Sequence, residues 1–285
     1  MNAQRSSPND YLAFQLDLNN AEVVSTYDEL PLWSAAFGSM LLDHVPLRQN
    51  IKVLDVGCGT GFPLIELAQR LGPSCTVVGL DTWEAALERA RFKARVSGVT
   101  NVEITKGDAT AMPFPAAQFD LIVSNLGLNN FSNPQTAVAE CRRVMKPTAR
   151  LALTTNLQGH MKEFYDVFES TLRSLGETDA VEALQKHIDH RATVERIRAL
   201  LERNGLRVTK VHEASTSMRF VDGSSLFRQY FIKLGFLGAW KDIVNPGQQE
   251  KIFRHLEADL NQWAESRGEL ALTIPMAYVE AEKSA

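Results

Sequence analysis

The residues Val53-Leu54-Asp55-Val56-Gly57-Cys58-Gly59-Thr60-Gly61 run from an apolar stretch into three alternate glycines, and no other segment of the chain is better suited to hold a ligand. Glycines at that spacing allow positive φ and remove the Cβ atoms that would keep a ligand off the backbone. The spacing also discriminates between ligands. A dinucleotide site requires G-x-G-x-x-G, whereas here Phe62 follows Gly61 and the pattern is G-x-G-x-G. A pyrophosphate cradle is therefore disfavoured, and with it a dinucleotide-dependent oxidoreductase. A phosphate loop ending in Gly-Lys-Ser/Thr is absent.

Three carboxylates, Asp55, Asp81 and Asp108, stand at or just past the ends of apolar runs and should share one edge of a sheet. Asp120, an isolated acid at a strand start, reads as a cap or turn residue. His160, Glu163 and Tyr165 follow the fifth apolar run and are the candidates for a general base. His160 also shares a helical stripe with Phe164, Val167, Phe168, Thr171 and Leu175, which is how a packed histidine reads. His187 and His190 stand three apart without a third ligand, so they read as surface residues and no metal site is expected.

The elements that must position these groups alternate from Ile51 to Thr155. Expected strands are Lys52–Val56, Thr76–Leu80, Val102–Thr105, Leu121–Ser124 and Arg150–Thr155, each short and uniformly apolar, with helices between them. That pattern is an α/β, doubly wound sheet. The first helix should open with Pro63 and stop at Gly72-Pro73, and the second should open near Thr82 and end at Gly98. Beyond Thr155 a helical pattern fills 158–191, another helix covers 193–203, strands are expected at 206–211 and 270–279, and helices near 225–234 and 246–263. The expected organisation is a helical cap (1–50), a ligand-binding core (51–156), a helical insertion (157–192), and a second part of the core (193–285) carrying a helical lid near 217–267. The two helical stretches should cap the carboxyl ends of the strands, where doubly wound folds bind ligands. Six aromatics between Phe220 and Trp240 fit a packed helix best, a lid over an apolar acceptor next, and a helix resting on a membrane least well.

The run Asp55-Val56-Gly57-Cys58-Gly59-Thr60-Gly61 resembles the nucleotide-binding motif of class I S-adenosylmethionine (SAM) dependent methyltransferases. Gly107-Asp108-Ala109, Met112-Pro113-Phe114 and Phe119-Asp120-Leu121-Ile122-Val123-Ser124-Asn125 are similar to the group often called type 11, which includes quinone-ring methyltransferases. The likeness covers Val53 to Thr155. It implies a Rossmann-like seven-stranded sheet with an antiparallel last strand and SAM as methyl donor. Position by position it implies that Gly57, Gly59 and Gly61 line the methionine moiety, with Cys58 among them, and that Asp55 lies near its ammonium group. Asp81, with Thr82 beside it, would hold the ribose hydroxyls. Asp108 and Ala109 would hold the adenine, Asn125 and Leu126 would border the place where donor and acceptor meet, and Tyr27 and Trp33 would fold over the cofactor. A non-catalytic SAM-binding protein is the alternative.

Composition bounds the partners. Thirty Lys+Arg against 34 Asp+Glu give a net charge of −4, so nothing draws the chain to nucleic acid, and the expected partner is a small-molecule acceptor, apolar or aromatic. Cys58, Cys75 and Cys141 lie far apart with no C-x-x-C pair, which fits reduced thiols in the cytoplasm and gives zinc no support. No apolar run reaches the ~20 residues of a transmembrane helix, and the first residues lack a signal-like apolar core. Carbon, oxygen and nitrogen all remain open as the acceptor atom.

Overall fold

The computed structural model describes residues 10–29 and 32–284. Two N-terminal helices, α1 (Ala21–Asp28) and α2 (Leu32–His44), precede the alternating segment. That segment runs β1 (Lys52–Val56), α3 (Leu64–Leu71), β2 (Thr76–Asp81), α4 (Glu84–Val96), β3 (Val102–Lys106), β4 (Phe119–Asn125), α5 (Pro134–Val144) and β5 (Met145–Asn156). There follow α6 (Lys162–Ser174), α7 (Thr178–Asp189), α8 (Val194–Arg203), β6 (Leu206–Phe220), α9 (Gly223–Arg228), α10 (Tyr230–Gly235), α11 (Leu237–Asp242), α12 (Gln249–Arg267) and β7 (Leu270–Lys283).

The strands form one sheet in the order β3-β2-β1-β4-β5-β7-β6. β1 pairs in parallel with β2 and β4, β2 with β3, and β4 with β5. β7 lies antiparallel on β5, from Arg150↔Glu282 to Asn156↔Met276, as the resemblance implied. The strand order reverses between β1 and β4, and in such sheets the crevice beyond the carboxyl ends at that point is where ligands bind.

The chain divides into two compact units. The sheet unit holds residues 18–157, 192–214 and 276–284, and the helical unit holds residues 10–17, 158–191 and 215–275. The segment expected as one cap, 1–50, is thus shared: residues 10–17 belong to the helical unit, and α1 and α2 belong to the sheet unit. Leu54, Ile122, Val144, Leu201 and Val279 fill the sheet unit's core. In the helical unit Phe164 stacks on Trp240 at 4.1 Å, and Phe168, Phe227 and Phe253 join them, all inaccessible to solvent. Each such ring contributes about 1.5–3 kcal/mol of burial free energy. Packing therefore accounts for most of the aromatic enrichment around Phe227 and Trp240.

Several boundaries differ from the expectation. Pro63 caps α3 instead of opening it, and α4 is capped at Trp83, leaving Thr82 exposed. The pattern over 158–191 breaks into α6 and α7, because Gly176 (φ +76°) takes the left-handed conformation that ends a helix. Residues 223–242 form three short helices where one was expected near 225–234. The Gln229 side chain accepts from the Ile232 N–H, restarting the helix one residue after the Arg228 end. Strands β5, β6 and β7 outrun their apolar cores.

Candidate cofactor site

The glycine turn leaves β1 and bends back onto β2, where the N–H groups of Gly57 and Cys58 both donate to the Leu80 carbonyl at 2.8 and 3.2 Å. All three glycines have positive φ, yet their surroundings differ. A Cβ on Gly59 would meet nothing within 4 Å, so its backbone faces open space that a ligand can fill. A Cβ on Gly61 would come within 3.1 Å of Ala90 Cβ on α4 and 3.0 Å of Ile65. Gly61 is thus required for helix packing, independently of any place it has along the ligand. Cys58 is 1% exposed, with its Sγ against Gly79, so it offers a ligand its backbone and not its thiol.

Asp81 ends β2 with both carboxylate oxygens engaged. Oδ2 accepts from the Gly59 N–H at 2.8 Å and Oδ1 from the Trp83 N–H at 2.9 Å. A carboxylate fixed by two backbone donors is oriented in advance, and each oxygen retains a lone pair for a further donor. Asp55 is the opposite case: it is wholly buried, and neither oxygen has a hydrogen-bond partner among the described residues. Burial, reinforced by the charge of Asp81, pushes its carboxyl up to about 8, with only the nearby Leu64 N–H working the other way.

Asp108, exposed after β3, accepts from the Thr110 N–H (2.7 Å) and hydroxyl (2.8 Å), which hold its carboxyl below the usual range. Ala109 beside it is buried. Tyr27, on α1, meets Trp83 edge-on with ring centroids 5.4 Å apart. Its phenol is raised by burial and by the Asp81 charge, so the two groups are neighbours. Trp33 packs on Phe37 within α2.

Asn125 and Leu126 sit at the carboxyl end of β4, both buried, with Leu126 in the left-handed region (φ +63°). Such backbone is held only where its surroundings over-determine it. Asn125 accepts from the Thr154 hydroxyl at 2.7 Å and donates to the Ser34 carbonyl at 3.2 Å. Asn129 donates to Asn156 and accepts from Thr155. This array of neutral amides and hydroxyls at the ends of β4 and β5 did not emerge from the sequence. Its one legible signal is a run of polar residues, Thr154-Thr155-Asn156, ending an otherwise apolar strand.

The base candidates lie in the helical unit. His160 is 2% exposed and stacks on Phe236 at 5.5 Å; burial, with the Arg191 charge, holds its imidazole well below the ordinary value. The Tyr165 hydroxyl bonds His187 Nε2 at 3.0 Å and accepts from the Trp240 indole at 3.2 Å. Burial raises its pKa, so it keeps its proton. His187, expected at the surface, is half-buried by this contact. Both oxygens of Glu163 are engaged by Thr273. Asp120 accepts from the Lys52 N–H and pairs with Lys146 from within β4, a structural role in a strand where a cap or turn residue was expected.

A family profile described as a methyltransferase domain matches residues 47–205, which span the glycine turn, the three carboxylates and the β4–β5 amides. The chain belongs to this family. It is a class I, SAM-dependent methyltransferase of the type 11 kind. The methyltransferase is 27% identical over 252 residues to nocamycin O-methyltransferase of Saccharothrix syringae, covering 84% of this chain and 88% of that one. It is 30% identical over 153 residues to demethylmenaquinone methyltransferase of Lactococcus lactis subsp. lactis, covering 54% of this chain and 59% of that one, little more than half the length of this relative. Among solved structures, a putative methyltransferase from Bacillus halodurans matches with a TM-score of 0.58 at 20% identity, covering 88% of this chain and all of that one. That likeness supports the fold. No helix among the described residues is long and apolar enough to cross a membrane.

Proposed function

We propose that this methyltransferase moves the methyl group of SAM to a small organic acceptor of apolar or aromatic character. The observation that carries the cofactor assignment is the pair of carboxylates flanking the glycine turn, one fixed and one orphaned. Asp81 is clamped by two backbone N–H groups with lone pairs left for a vicinal diol. Asp55 is a buried acid with no cation or side-chain donor beside it among the described residues, and an ammonium group is the partner that relieves its burial. The residues therefore fit an adenosyl amino acid. Asp108 and the Ala109 N–H complete the set toward the adenine, and Tyr27 closes it from α1.

SAM supplies, when bound, a methyl group already activated on a sulfonium centre, so the protein's task is alignment and exclusion of water. Asn125, Leu126 and the amides behind them border the acceptor. They carry no charge and can orient a polar atom without competing for the methyl group. His160 and Tyr165, both in the helical unit, remain the candidates for the general base. A neutral imidazole can take a proton from the acceptor, whereas the Tyr165 phenol can only donate. The small-molecule class is supported by the relatives named above, whose names specify nocamycin and demethylmenaquinone.

The test is calorimetric titration with SAM and, separately, NADH, repeated with SAM on Asp81→Ala. SAM binding, no NADH binding and a loss of about tenfold or more in the variant are expected. NADH binding without SAM binding would overturn the assignment. Acceptor screening by mass spectrometry, begun with hydrophobic phenols and enols, then separates turnover from mere SAM binding.

A further inference from the structure

The N-terminal helix α1 is fastened beside the cofactor site by one carboxylate. Asp28, the last residue of α1, has 7% of its side chain exposed, with Oδ2 at 2.8 Å from Arg89 Nε and Oδ1 at 2.5 Å from Lys93 Nζ. The two cations lie one turn apart on α4. Thr60, inside the glycine turn, also favours the ionised Asp28. Ahead of α1, the Trp83 indole N–H donates to the Leu18 carbonyl at 2.7 Å. Between these ties Tyr27 lies against Trp83, next to Asp81.

At eight residues α1 cannot hold a helix in isolation, so its place depends on what grips it. Fully exposed ion pairs grip weakly, but a carboxylate that is 7% exposed and paired through both oxygens grips harder, because removing it leaves Arg89 and Lys93 without the anion they share. These contacts join α1, which carries Tyr27, to α4, the helix that follows Asp81 in the chain, and to the turn that carries Gly59.

We propose that Asp28 is a latch that holds α1, and Tyr27 with it, against the cofactor site, so that its contact with Arg89 and Lys93 sets how fast SAM and the demethylated product leave. The inference rests on the SAM reading above. Asp28 touches no reacting atom and acts as a positioning residue.

Stopped-flow binding of SAM to the full chain, using intrinsic tryptophan fluorescence, tests it. In Asp28→Asn we expect dissociation about tenfold faster with association within about twofold, the split expected of a contact made only after docking. Asp28→Glu should restore most of the slow rate. Salt should speed dissociation from the wild type and leave that from Asp28→Asn unchanged. A folded Asp28→Asn protein with wild-type dissociation overturns the latch. Should that variant not fold, Arg89→Gln/Lys93→Gln, altered on the helix surface, must show the same acceleration, and wild-type rates there overturn it equally. A wild type that does not bind SAM refutes the cofactor reading first, whereas SAM binding with no difference among the variants refutes the latch alone.

Discussion

The Gly59 N–H donates to Oδ2 of Asp81 at 2.8 Å, so the tip of the glycine turn and the end of β2 hold each other. The acid is thus built into the loop it serves. Asp81→Asn leaves one oxygen where two backbone donors need acceptors, and it turns an amide NH2 toward Gly59 or Trp83. We expect SAM affinity to fall about tenfold with little change in circular dichroism, measured by calorimetry.

Asp55 predicts a proton signature. Its carboxyl is raised from an ordinary value near 3.8 to about 8. A carboxyl raised by folding contributes stability in full below the ordinary value, and that contribution is lost as pH climbs through the folded one. The unliganded protein should therefore lose thermal stability between about pH 4 and pH 8, and Asp55→Asn should flatten that part of the curve. An ammonium ligand favours the ionised form, so SAM binding near pH 7 should release most of one proton, about 0.9 if the shift is fully reversed. Titrations in buffers of different ionisation enthalpy measure it, and Asp55→Asn should release none.

Gly61 serves packing. Replacing it with Ala places a methyl near Ala90 and Ile65 on a backbone at φ +97°. The cost should be about 1–3 kcal/mol, read as a lowered midpoint in urea. Gly59→Ala sits at φ +50° and shares that backbone strain, but its methyl meets open space, so it should disturb SAM binding more than packing.

His160 is held neutral, its pKa well below 6.5. Were it to take the acceptor's proton, it would do so without an inflection in kcat/KM near its ordinary pKa. Profiles of the wild type and His160→Gln between about pH 6 and pH 8 should therefore be parallel, with His160→Gln displaced downward if the imidazole acts as base.

Tyr165→Phe removes the acceptor of the Trp240 indole N–H and the partner of His187. Leaving the buried indole donor unpaired should cost about 1–3 kcal/mol in chemical denaturation.

How much of this was legible beforehand depends on the kind of signal. The glycine turn from Val53 to Gly61 and the place of Asp81 and Asp108 beside strand ends could be read because apolar runs and glycine spacing mark them, while the ligand roles of those acids came from the resemblance alone. The antiparallel β7 came from the resemblance alone, since periodicity does not distinguish strand direction. The Asp28 contact with Arg89 and Lys93 joins residues more than sixty positions apart, and an acid at the end of a predicted helix gives no hint of its partner. The Asn129–Asn156 bond was hidden for the same reason. The packing demand on Gly61 was not legible, because a glycine required by a neighbouring helix and one required by a ligand look alike in sequence.

The placement of β7 between β5 and β6 has a consequence for biogenesis. Of the seven strands, the one that closes the sheet is the last to leave the ribosome. Until its residues emerge, β5 and β6 each present an unpaired backbone ladder, and such ladders recruit foreign strands. A nascent chain stalled before Leu270 should need a chaperone to stay soluble, and its demand should fall abruptly once Lys283 has cleared the exit tunnel.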